Sequence, residues 1–438
     1  MYICQSCGYV SKKWLGKCPE CGNWNTFLEE DIKNNKNLKI SEIPSPLKLS
    51  EIPFEKISRI STKISEFNRV IGGGLVEGEV ILIGGQPGIG KSTLLSQILN
   101  NVSSKDNIGF YLSAEESLNQ IKLRFKRLNI DNDNIFFLSE NNLSKSIHTI
   151  RKVKPKFIVI DSIQTIYLDH LSSIPGSVSQ IRECSSILID FAKKNNSIIF
   201  LIGHITKEGS IAGPKILEHM VDAVLYFESE KNSIYRIIRS LKNRFGPVNE
   251  IAVFEMTSDG LKEVKNPSEI FLNKNKVKNI GITIFPAIEG TRSILIEVQA
   301  LVSDTNFSIP RRTTQGIDLN RLNLLIAIIE KNLGANLFNK DIFINIPGGI
   351  KINDPAVDVP VVISILSSYL NKEVESQIAC FGEIGLTGEV RNASFAEERI
   401  NEALRLGYKK IVSHEITEKI KNAEIININS VSDIINLL

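Results

Sequence analysis

One segment of eight residues constrains the fold of this 438-residue chain more than any other part of its sequence. The segment fits the pattern G-x-x-x-x-G-K-[ST] at every position, with Gly85, Gln86, Pro87, Gly88, Ile89, Gly90, Lys91 and Ser92. The apolar run Val80–Ile83 precedes it, and the amphipathic run Ser92–Asn101, with Thr93 in its first turn, follows it. A strand, a glycine-rich turn and a helix N-terminus together form a backbone cradle for phosphate groups. The sequence therefore predicts a phosphate loop in an α/β nucleotide-binding domain, because a plain glycine-rich turn would not require the lysine and serine in register.

Two side chains of the loop and one distant carboxylate predict ATP and Mg²⁺ as ligands. Lys91 is expected to bridge the β- and γ-phosphates, and the Ser92 hydroxyl is expected to bind Mg²⁺. The apolar run Phe157–Ile160 ends in Asp161. A carboxylate at the carboxyl end of a parallel strand lies where α/β proteins bind their ligands. Asp161 is therefore the second candidate ligand for Mg²⁺.

A further acidic residue is a candidate for catalysis. Glu115 follows the apolar run Ile108–Leu112 and is followed by Glu116. In this position Glu115 is placed to polarise the water that attacks the γ-phosphate. The pair is equally well explained as the acidic first turn of a helix, which the helix dipole stabilises. The residues alone leave both interpretations open.

The order of apolar segments divides the chain into four parts. Residues 1–28 hold a cysteine cluster, and residues 29–55 are polar and proline-containing and read as a linker. Residues 56–265 alternate short apolar runs with amphipathic helical segments, which predicts a parallel sheet covered on both faces. The pattern restarts after Pro267, so residues 266–438 are expected to form a separate α+β domain with its own core.

The cysteines near the N-terminus predict a zinc site. Two Cys-x-x-Cys-Gly knuckles lie ten residues apart and contain Cys4, Cys7, Cys18 and Cys21. Two such knuckles supply four thiolates for tetrahedral Zn²⁺, and the metal supplies folding energy that so short a module lacks. An iron–sulfur cluster or a redox pair are the alternatives. Trp14, Trp24 and Lys12-Lys13 either contact DNA or a partner protein, or the tryptophans pack around the ribbon.

Composition excludes some classes of protein and leaves others open. Hydrophobic residues make up 42% of the chain and charged residues 23%, the balance of a folded protein. The net charge of +3 neither requires nor excludes nucleic acid, so a basic binding surface would have to be local. Apolar runs stay well below the ~18 residues of a membrane span, and the first residues lack a signal-peptide pattern. We therefore expect a cytoplasmic protein without membrane association.

The motifs in combination resemble the family of bacterial RadA (Sms) DNA repair proteins over essentially the full length of the chain. Beyond the phosphate loop, the resemblance rests on residues 71–79 (IGGGLVEGE), 203–209 (GHITKEG), 211–214 (IAGP) with 217–222 (LEHMVD), and 242–246 (KNRFG). It implies a RecA-like P-loop ATPase core, an N-terminal zinc ribbon and a C-terminal Lon-protease-like domain. It also implies a hexameric, DNA-dependent ATPase motor for DNA damage repair and stress response. Such a motor binds single-stranded and branched DNA, promotes branch migration, and works with a RecA-type recombinase, with a replicative helicase as a further candidate partner.

The resemblance also assigns residue roles. Glu115 matches the catalytic glutamate of RecA-like proteins, and the family motif is matched by Lys242, Asn243, Arg244, Phe245 and Gly246. Lys242 and Arg244 are expected to project from a tight turn and to reach either the γ-phosphate of a neighbouring subunit or DNA phosphates. Without the resemblance, a solvated basic hairpin tip explains them as well. His204 ends a predicted strand, where it either senses the γ-phosphate or has a structural role. The segments Asp169–Ser179 and Ile205–Lys215 lie where RecA-like proteins contact DNA.

The C-terminal domain resembles the Lon peptidase domain without its catalytic residues. Ala356 occupies the position of the nucleophilic serine, and Glu397 falls at the position of the catalytic lysine. Because a methyl group cannot attack a carbonyl carbon, we expect no peptidase activity. The domain is expected to support ring assembly and a DNA path, with candidate phosphate contacts at Arg311, Arg312, Arg321 and Lys351.

The leading hypothesis is thus a DNA-stimulated ATPase motor. The alternative is a RecA-fold ATPase ring that acts as a regulatory scaffold for other proteins and binds DNA only incidentally. An ATP-dependent protease is disfavoured by Ala356.

Overall fold

The computed structural model describes residues 2–4, 9–29, 48–51, 58–204, 216–229, 234–272, 280–375, 377–416 and 422–438. Two compact units are present: Met1–Ser229 with Ile234–Val264, and Glu230–Ser233 with Lys265–Leu438. Across the described ranges, none of the helices combines the length and apolar character needed to cross a membrane.

The N-terminal module is a small antiparallel sheet. Its strands are β1 (Tyr2–Cys4), β2 (Val10–Ser11) and β3 (Phe27–Glu29), with β1 in the centre. Its described core consists of Cys4, Cys18 and Phe27. Because so small an apolar core cannot stabilise a domain by itself, the module needs another source of folding energy.

The larger part of the first unit is an α/β sandwich around a nine-stranded sheet. The sheet contains β6 (Val80–Gly85), β7 (Gly109–Ser113), β8 (Ile135–Ser139), β9 (Phe157–Asp161), β10 (Ile198–His204), β11 (Ala223–Glu228), β12 (Tyr235–Asn243), β13 (Ile251–Thr257) and β14 (Gly260–Glu263). Two short strands, β4 (Arg59–Ile60) and β5 (Leu75–Val76), lie outside it. The helices of the sandwich are α1 (Ser65–Val70), α2 (Lys91–Val102), α3 (Leu118–Arg127), α4 (Leu143–Val153), α5 (Val178–Asn195) and α6 (Ile216–Met220). A 3₁₀ turn spans Leu49–Glu51.

The sheet is parallel in its centre and antiparallel at one edge. Its order is β14-β13-β12-β11-β6-β10-β9-β7-β8, while β4 and β5 form a separate ribbon. The six strands from β11 to β8 pair in parallel, and β12, β13 and β14 pair antiparallel. The expected parallel sheet forms the centre, and the structure adds an antiparallel edge, where short connections replace the helical crossovers that parallel strands need.

Both faces of the sheet are covered, as alternating strands and helices predict. One apolar cluster joins the sheet to α1, α2 and α3, and the other joins it to α4, α5 and α6. Local sequence signals define the helix ends. For example, the Ser117 hydroxyl caps α3 in a capping box with Gln120, and Ser177 caps α5, which ends at Asn196 in the left-handed conformation.

The second unit is an α+β domain on a seven-stranded mixed sheet of order β17-β18-β16-β15-β19-β22-β23. The strands of this sheet are β15 (Ile282–Glu289), β16 (Arg292–Asp304), β17 (Arg312–Gln315), β18 (Lys340–Asn345), β19 (Ile378–Cys380), β22 (Lys410–Ser413) and β23 (Glu424–Asn427). Strands β20 (Glu383–Ile384) and β21 (Val390–Arg391) form a separate ribbon. The helices of the unit are α7 (Ser268–Phe271), α8 (Leu319–Leu333), α9 (Asp358–Leu370), α10 (Ala396–Arg405) and α11 (Val431–Ile434). Helix α9 is buried from Asp358 to Ser367 and packs on β15 and β16 as the centre of the core.

Candidate nucleotide site

The phosphate loop joins the buried strand β6 to α2 at the carboxyl edge of the parallel strands. Gly88 and Gly90 have φ angles of 75° and 119°. The left-handed backbone at Gly90 favours glycine, and a Cβ atom there would lie 2.8 Å from Met256 Cε, at the end of a flexible side chain. The described side chains leave the N-terminus of α2 uncapped. Its first N–H groups are therefore available to an anion at the mouth of a cleft of about 840 Å³.

Lys91 lies inside this cleft and is held by the loop itself. Its ammonium group donates hydrogen bonds to the carbonyl oxygens of Gly85 (2.7 Å) and Gln86 (2.9 Å). The residue is only 4% exposed. Burial lowers the pKa of Lys91 to about 8, against the opposing effect of the carboxylates of Asp161 and Glu115. The charge is thus placed where a phosphate would compensate its loss of water.

Asp161 ends β9 opposite Ser113 of β7 and is almost fully buried. Its Oδ2 accepts a hydrogen bond of 2.5 Å from the Tyr111 hydroxyl, whose oxygen accepts one of 2.8 Å from Arg124 Nη1. Arg124 also forms an ion pair with Glu116. Burial raises the pKa of Tyr111 well above its usual value, so the hydroxyl remains a donor to the carboxylate. Tyr111 and Arg124 therefore fix the orientation of the candidate Mg²⁺ ligand.

Glu115 faces the loop from the neighbouring strand end. Its Oε1 accepts hydrogen bonds from the Ser162 hydroxyl (2.5 Å) and from His204 Nε2 (3.1 Å). The bond from His204 is the main cause that lowers the pKa of Glu115, with Ser162 and Lys91 acting in the same direction. His204 Nδ1 lies 3.4 Å from Lys91 Nζ. A continuous polar chain therefore runs from Lys91 through His204 to Glu115, and this carboxylate is ionised at neutral pH.

The motif of residues 242–246 lies on β12 and the turn after it, and the described lining of the nucleotide cleft does not include it. Lys242 does not project as expected. Its ammonium group folds back and donates to the carbonyl oxygens of Glu218 (3.0 Å), His219 (3.0 Å) and Val221 (2.9 Å) at the end of α6. Helix-end carbonyls carry partial negative charge and attract the cation.

The remaining motif residues pack more openly. The Arg244 side chain is 50% exposed and lies 3.3 Å from Asp222. Asn243 accepts a hydrogen bond from the Phe245 N–H. A Cβ atom on Gly246 would lie 2.6 Å from Gly72 Cα, so the motif packs against the glycine loop before β6. Of the two segments expected to contact DNA, Asp169–Ser179 is partly exposed, with Ile174 at 75% and Val178 buried, whereas 205–215 lies outside the described residues.

The N-terminal cysteines have the geometry of a zinc site. The Sγ atoms of Cys4, Cys18 and Cys21 all lie within 4.8 Å of one another, and those of Cys4 and Cys21 are 3.7 Å apart. Tetrahedral Zn²⁺ with bonds of about 2.3 Å separates its sulfur ligands by about 3.8 Å. These three thiols therefore fit the metal; Cys7 lies outside the described residues.

In the second unit, the two positions expected for peptidase catalysis hold residues that supply neither a nucleophile nor a lysine. Ala356 is buried, while Glu397 is exposed at the start of α10. The fully buried Arg399 reaches Asp354 in the loop before Ala356, with a hydrogen bond of 2.5 Å. Burial lowers the pKa of Arg399, which the Asp354 carboxylate partly offsets.

Two of the arginines proposed as DNA contacts are paired within the second unit. Arg321 forms an ion pair with the completely buried Asp358, and Arg311 donates two hydrogen bonds to Asp341. Arg321 therefore has a structural partner, Asp358, that the sequence did not predict. Arg312 lies 3.4 Å from Asn323, and Lys351 is exposed.

Comparisons with known proteins match most of the chain. The family models described as "Rubredoxin metal binding domain", "KaiC" and "Subunit ChlI of Mg-chelatase" match residues 2–29, 60–144 and 320–415. The DNA repair protein RadA of Bacillus subtilis is 49% identical over 94% of this chain and 91% of its own length. That of Listeria monocytogenes is 47% identical over the same shares. A KaiC-like protein structure from Pyrococcus horikoshii is 21% identical, with a TM-score of 0.42 over 48% of this chain and 100% of its own.

Proposed function

This chain belongs to the RadA family of DNA repair proteins, and from that premise we propose that it is a DNA-dependent ATPase motor of recombinational repair. It has a RecA-like, KaiC-type ATPase unit and an N-terminal zinc ribbon. In this proposal the motor binds single-stranded and branched DNA and uses ATP hydrolysis to promote branch migration.

The observation that carries the proposal is the polar chain Lys91–His204–Glu115. The phosphate loop and Lys91 bind the triphosphate, with Ser92 and Asp161 as the residues that would hold Mg²⁺. When Mg²⁺ is bound, it neutralises part of the phosphate charge. Glu115, ionised and held by Ser162 and His204, orients the attacking water and takes its proton.

The position of His204 suggests how DNA controls this chemistry. His204 ends β10, and the next residue begins the segment 205–215 that the family resemblance assigns to DNA contact. On the far side of that segment, α6 is held at its carboxyl end by Lys242 of the family motif. In this proposal, DNA bound at the segment acts on Glu115 through His204.

The same proposal assigns the rest of the chain. Arg244, half exposed, acts on a neighbouring subunit's γ-phosphate or on DNA, while Lys242 holds α6. The subunits form a hexameric ring, with the Lon-protease-like domain of residues 266–438 as a peptidase-inactive assembly element. A RecA-type recombinase and the replicative helicase are the proposed partners.

The test of the site compares two adjacent glutamates in the full chain. Glu115→Gln should lower ATP turnover by about 100-fold or more, because it removes the acceptor for the water's proton, and should leave binding of a fluorescent ATP analogue within a few-fold of wild type. Glu116→Gln is the matched control, since Glu116 contacts Arg124 rather than His204, and it should retain most of the turnover. Equal losses in both variants would contradict the assignment of Glu115.

The motor and the scaffold alternative differ in their response to DNA. The motor should migrate a labelled branched DNA substrate with ATP, and the Lys91→Ala variant should not. Turnover of ATP that is indifferent to DNA, together with no branch migration, would favour the scaffold.

A further inference from the structure

The zinc ribbon carries both tryptophans of the chain, and both are exposed. The sequence contains two tryptophans in total. Trp14 is 53% exposed and Trp24 is 69% exposed. A large apolar side chain is rarely left so accessible on a module with so little core of its own. The structure therefore argues against the interpretation that the two indoles pack around the ribbon.

The two indole rings converge on one point of the surface. A Cβ atom on Gly16 would lie 3.7 Å from Trp14 Cζ3 and 3.9 Å from Trp24 Cζ3. The backbone of Gly16 is not in the left-handed region, so its conformation does not require glycine. The missing side chain instead leaves the space beside both rings open.

The metal site holds this surface in place. Lys17 and Trp24 face each other in an antiparallel bridge, and the Asn25 N–H donates to the Gly16 carbonyl oxygen at 2.7 Å. The next residue after Lys17 is Cys18, whose N–H donates to Asn23 at 2.8 Å. The backbone of Trp24 is thus fixed beside a cysteine knuckle, which limits the ordering needed when a ligand binds.

Lysines surround the rings. Lys17 Nζ lies 5.6 Å from the centroid of the Trp24 ring, and Lys12 and Lys13 are exposed next to Trp14. Within the described part of the chain, no carboxylate forms an ion pair with these three lysines. Lysine is depleted at protein–protein contacts, whereas single-stranded nucleic acid is bound by aromatic faces combined with cations.

We propose that Trp14 and Trp24 form a base-stacking surface for single-stranded DNA, with Lys12, Lys13 and Lys17 contacting its phosphates. Exposed flat rings beside ammonium groups that lack a carboxylate partner among the described residues match the alternation of bases and phosphates along a strand. This inference deepens the proposed function and rests on it for the choice of DNA as the polymer. It adds a second contact with the strand, separate from the ATPase unit.

Intrinsic fluorescence tests the inference directly, because the two candidate contacts are the chain's own two tryptophans. Titration of the zinc-loaded full chain with oligo(dT), without nucleotide, should quench the fluorescence strongly. Trp14→Phe leaves Trp24 as the single reporter, and Trp24→Phe leaves Trp14; each should still be quenched, since phenylalanine also stacks. Fluorescence that is unchanged at saturating oligo(dT) would overturn the proposal.

Affinity variants give an independent result. Trp14→Ala and Trp24→Ala should each weaken oligo(dT) binding by about 5- to 100-fold, with the phenylalanine variants as matched controls close to wild type. Lys12→Gln and Lys17→Gln should each reduce the slope of log affinity against log salt by roughly 0.7. A zinc assay checks that each variant keeps its metal. If an alanine variant loses zinc, the fluorescence quenching of the phenylalanine variants and the salt dependence of the lysine variants still test the proposal. Unchanged oligo(dT) affinity in zinc-loaded alanine variants would mean that the ribbon serves a protein partner, and would overturn the proposal.

The base-stacking surface and the DNA-dependent ATPase motor can be refuted separately. ATP turnover that DNA stimulates, without tryptophan quenching, refutes the stacking surface and leaves the motor. Quenching without stimulation supports the stacking surface and refutes DNA-dependent ATPase activity.

Discussion

Lys91 should destabilise the folded ATPase unit whenever no nucleotide is bound. Burial lowers its pKa to about 8, whereas a lysine in an unfolded chain titrates near about 10.4. The folded state therefore binds fewer protons than the unfolded state between these two values. Stability should rise with pH through this window, and the full penalty should be present below about pH 8.

The size of the effect follows from the shift. The difference of about 2.4 between the two pKa values corresponds to about 3.3 kcal/mol, and screening by solvent at the open cleft reduces this to about 1–2 kcal/mol. Lys91→Met keeps the length of the side chain and removes its charge. The variant also loses the hydrogen bonds to Gly85 and Gln86, which offsets part of the gain at every pH. The diagnostic quantity is the stability difference between variant and wild type, which should shrink by about 1 kcal/mol between about pH 7 and about pH 9.5.

Calorimetry of the nucleotide-free full chain measures this difference. The transition of the ATPase unit is identified by its shift with a magnesium–ATP analogue. The predicted change corresponds to about 2–4 °C in the difference between the two midpoints. Lys105→Met is the matched control, because Lys105 is exposed, and its difference from wild type should not vary with pH. A Lys91→Met difference that is equally independent of pH would refute the reasoning.

Three further outcomes are expected. Arg321→Met should destabilise the second unit by about 3–5 kcal/mol in urea unfolding, because it leaves the buried Asp358 unpaired. Adding Asp358→Asn to the same chain should recover part of this loss. A variant with normal stability and weakened DNA binding would contradict the structural role of Arg321. Tyr111→Phe removes the hydrogen bond to Asp161 and should raise about tenfold the Mg²⁺ concentration needed for tight binding of an ATP analogue. Binding of the analogue in EDTA should not change. An unaltered dependence on Mg²⁺ would count against the role of Tyr111 in positioning Asp161. Metal analysis should find one zinc per chain, released by a chelator with loss of the ribbon's fold; iron, or no metal with all ribbon thiols free, would contradict the zinc assignment.

Features encoded in continuous sequence were predictable. The phosphate loop, the apolar strand that ends at Asp161 and the family resemblance all rest on short motifs, and the relatives confirm the family and the fold class. Strand β9 covers Phe157–Asp161, which is the apolar run and the terminal carboxylate that the sequence singles out. Residue type and spacing suffice here because neighbours in sequence are neighbours in the structure.

Contacts between distant segments were not predictable in the same way. Arg124 reaches Tyr111, and Tyr111 reaches Asp161, only because α3, β7 and β9 meet at one edge of the sheet. The ammonium group of Lys242 turns inward because the end of α6 offers three carbonyl oxygens. A basic residue in sequence does not reveal whether its partner is a phosphate or a buried group of the same chain, as Arg321 illustrates.

The central claim is that DNA controls hydrolysis of ATP at the site formed by Lys91, His204 and Glu115. The most direct measurement is the steady-state rate of ATP hydrolysis by the full chain with Mg²⁺, with and without single-stranded DNA, for wild type and Lys91→Ala. A wild-type rate that rises with DNA, and no turnover by Lys91→Ala under either condition, is the predicted result. A rate that DNA leaves unchanged, or turnover that survives the loss of Lys91, would contradict the claim.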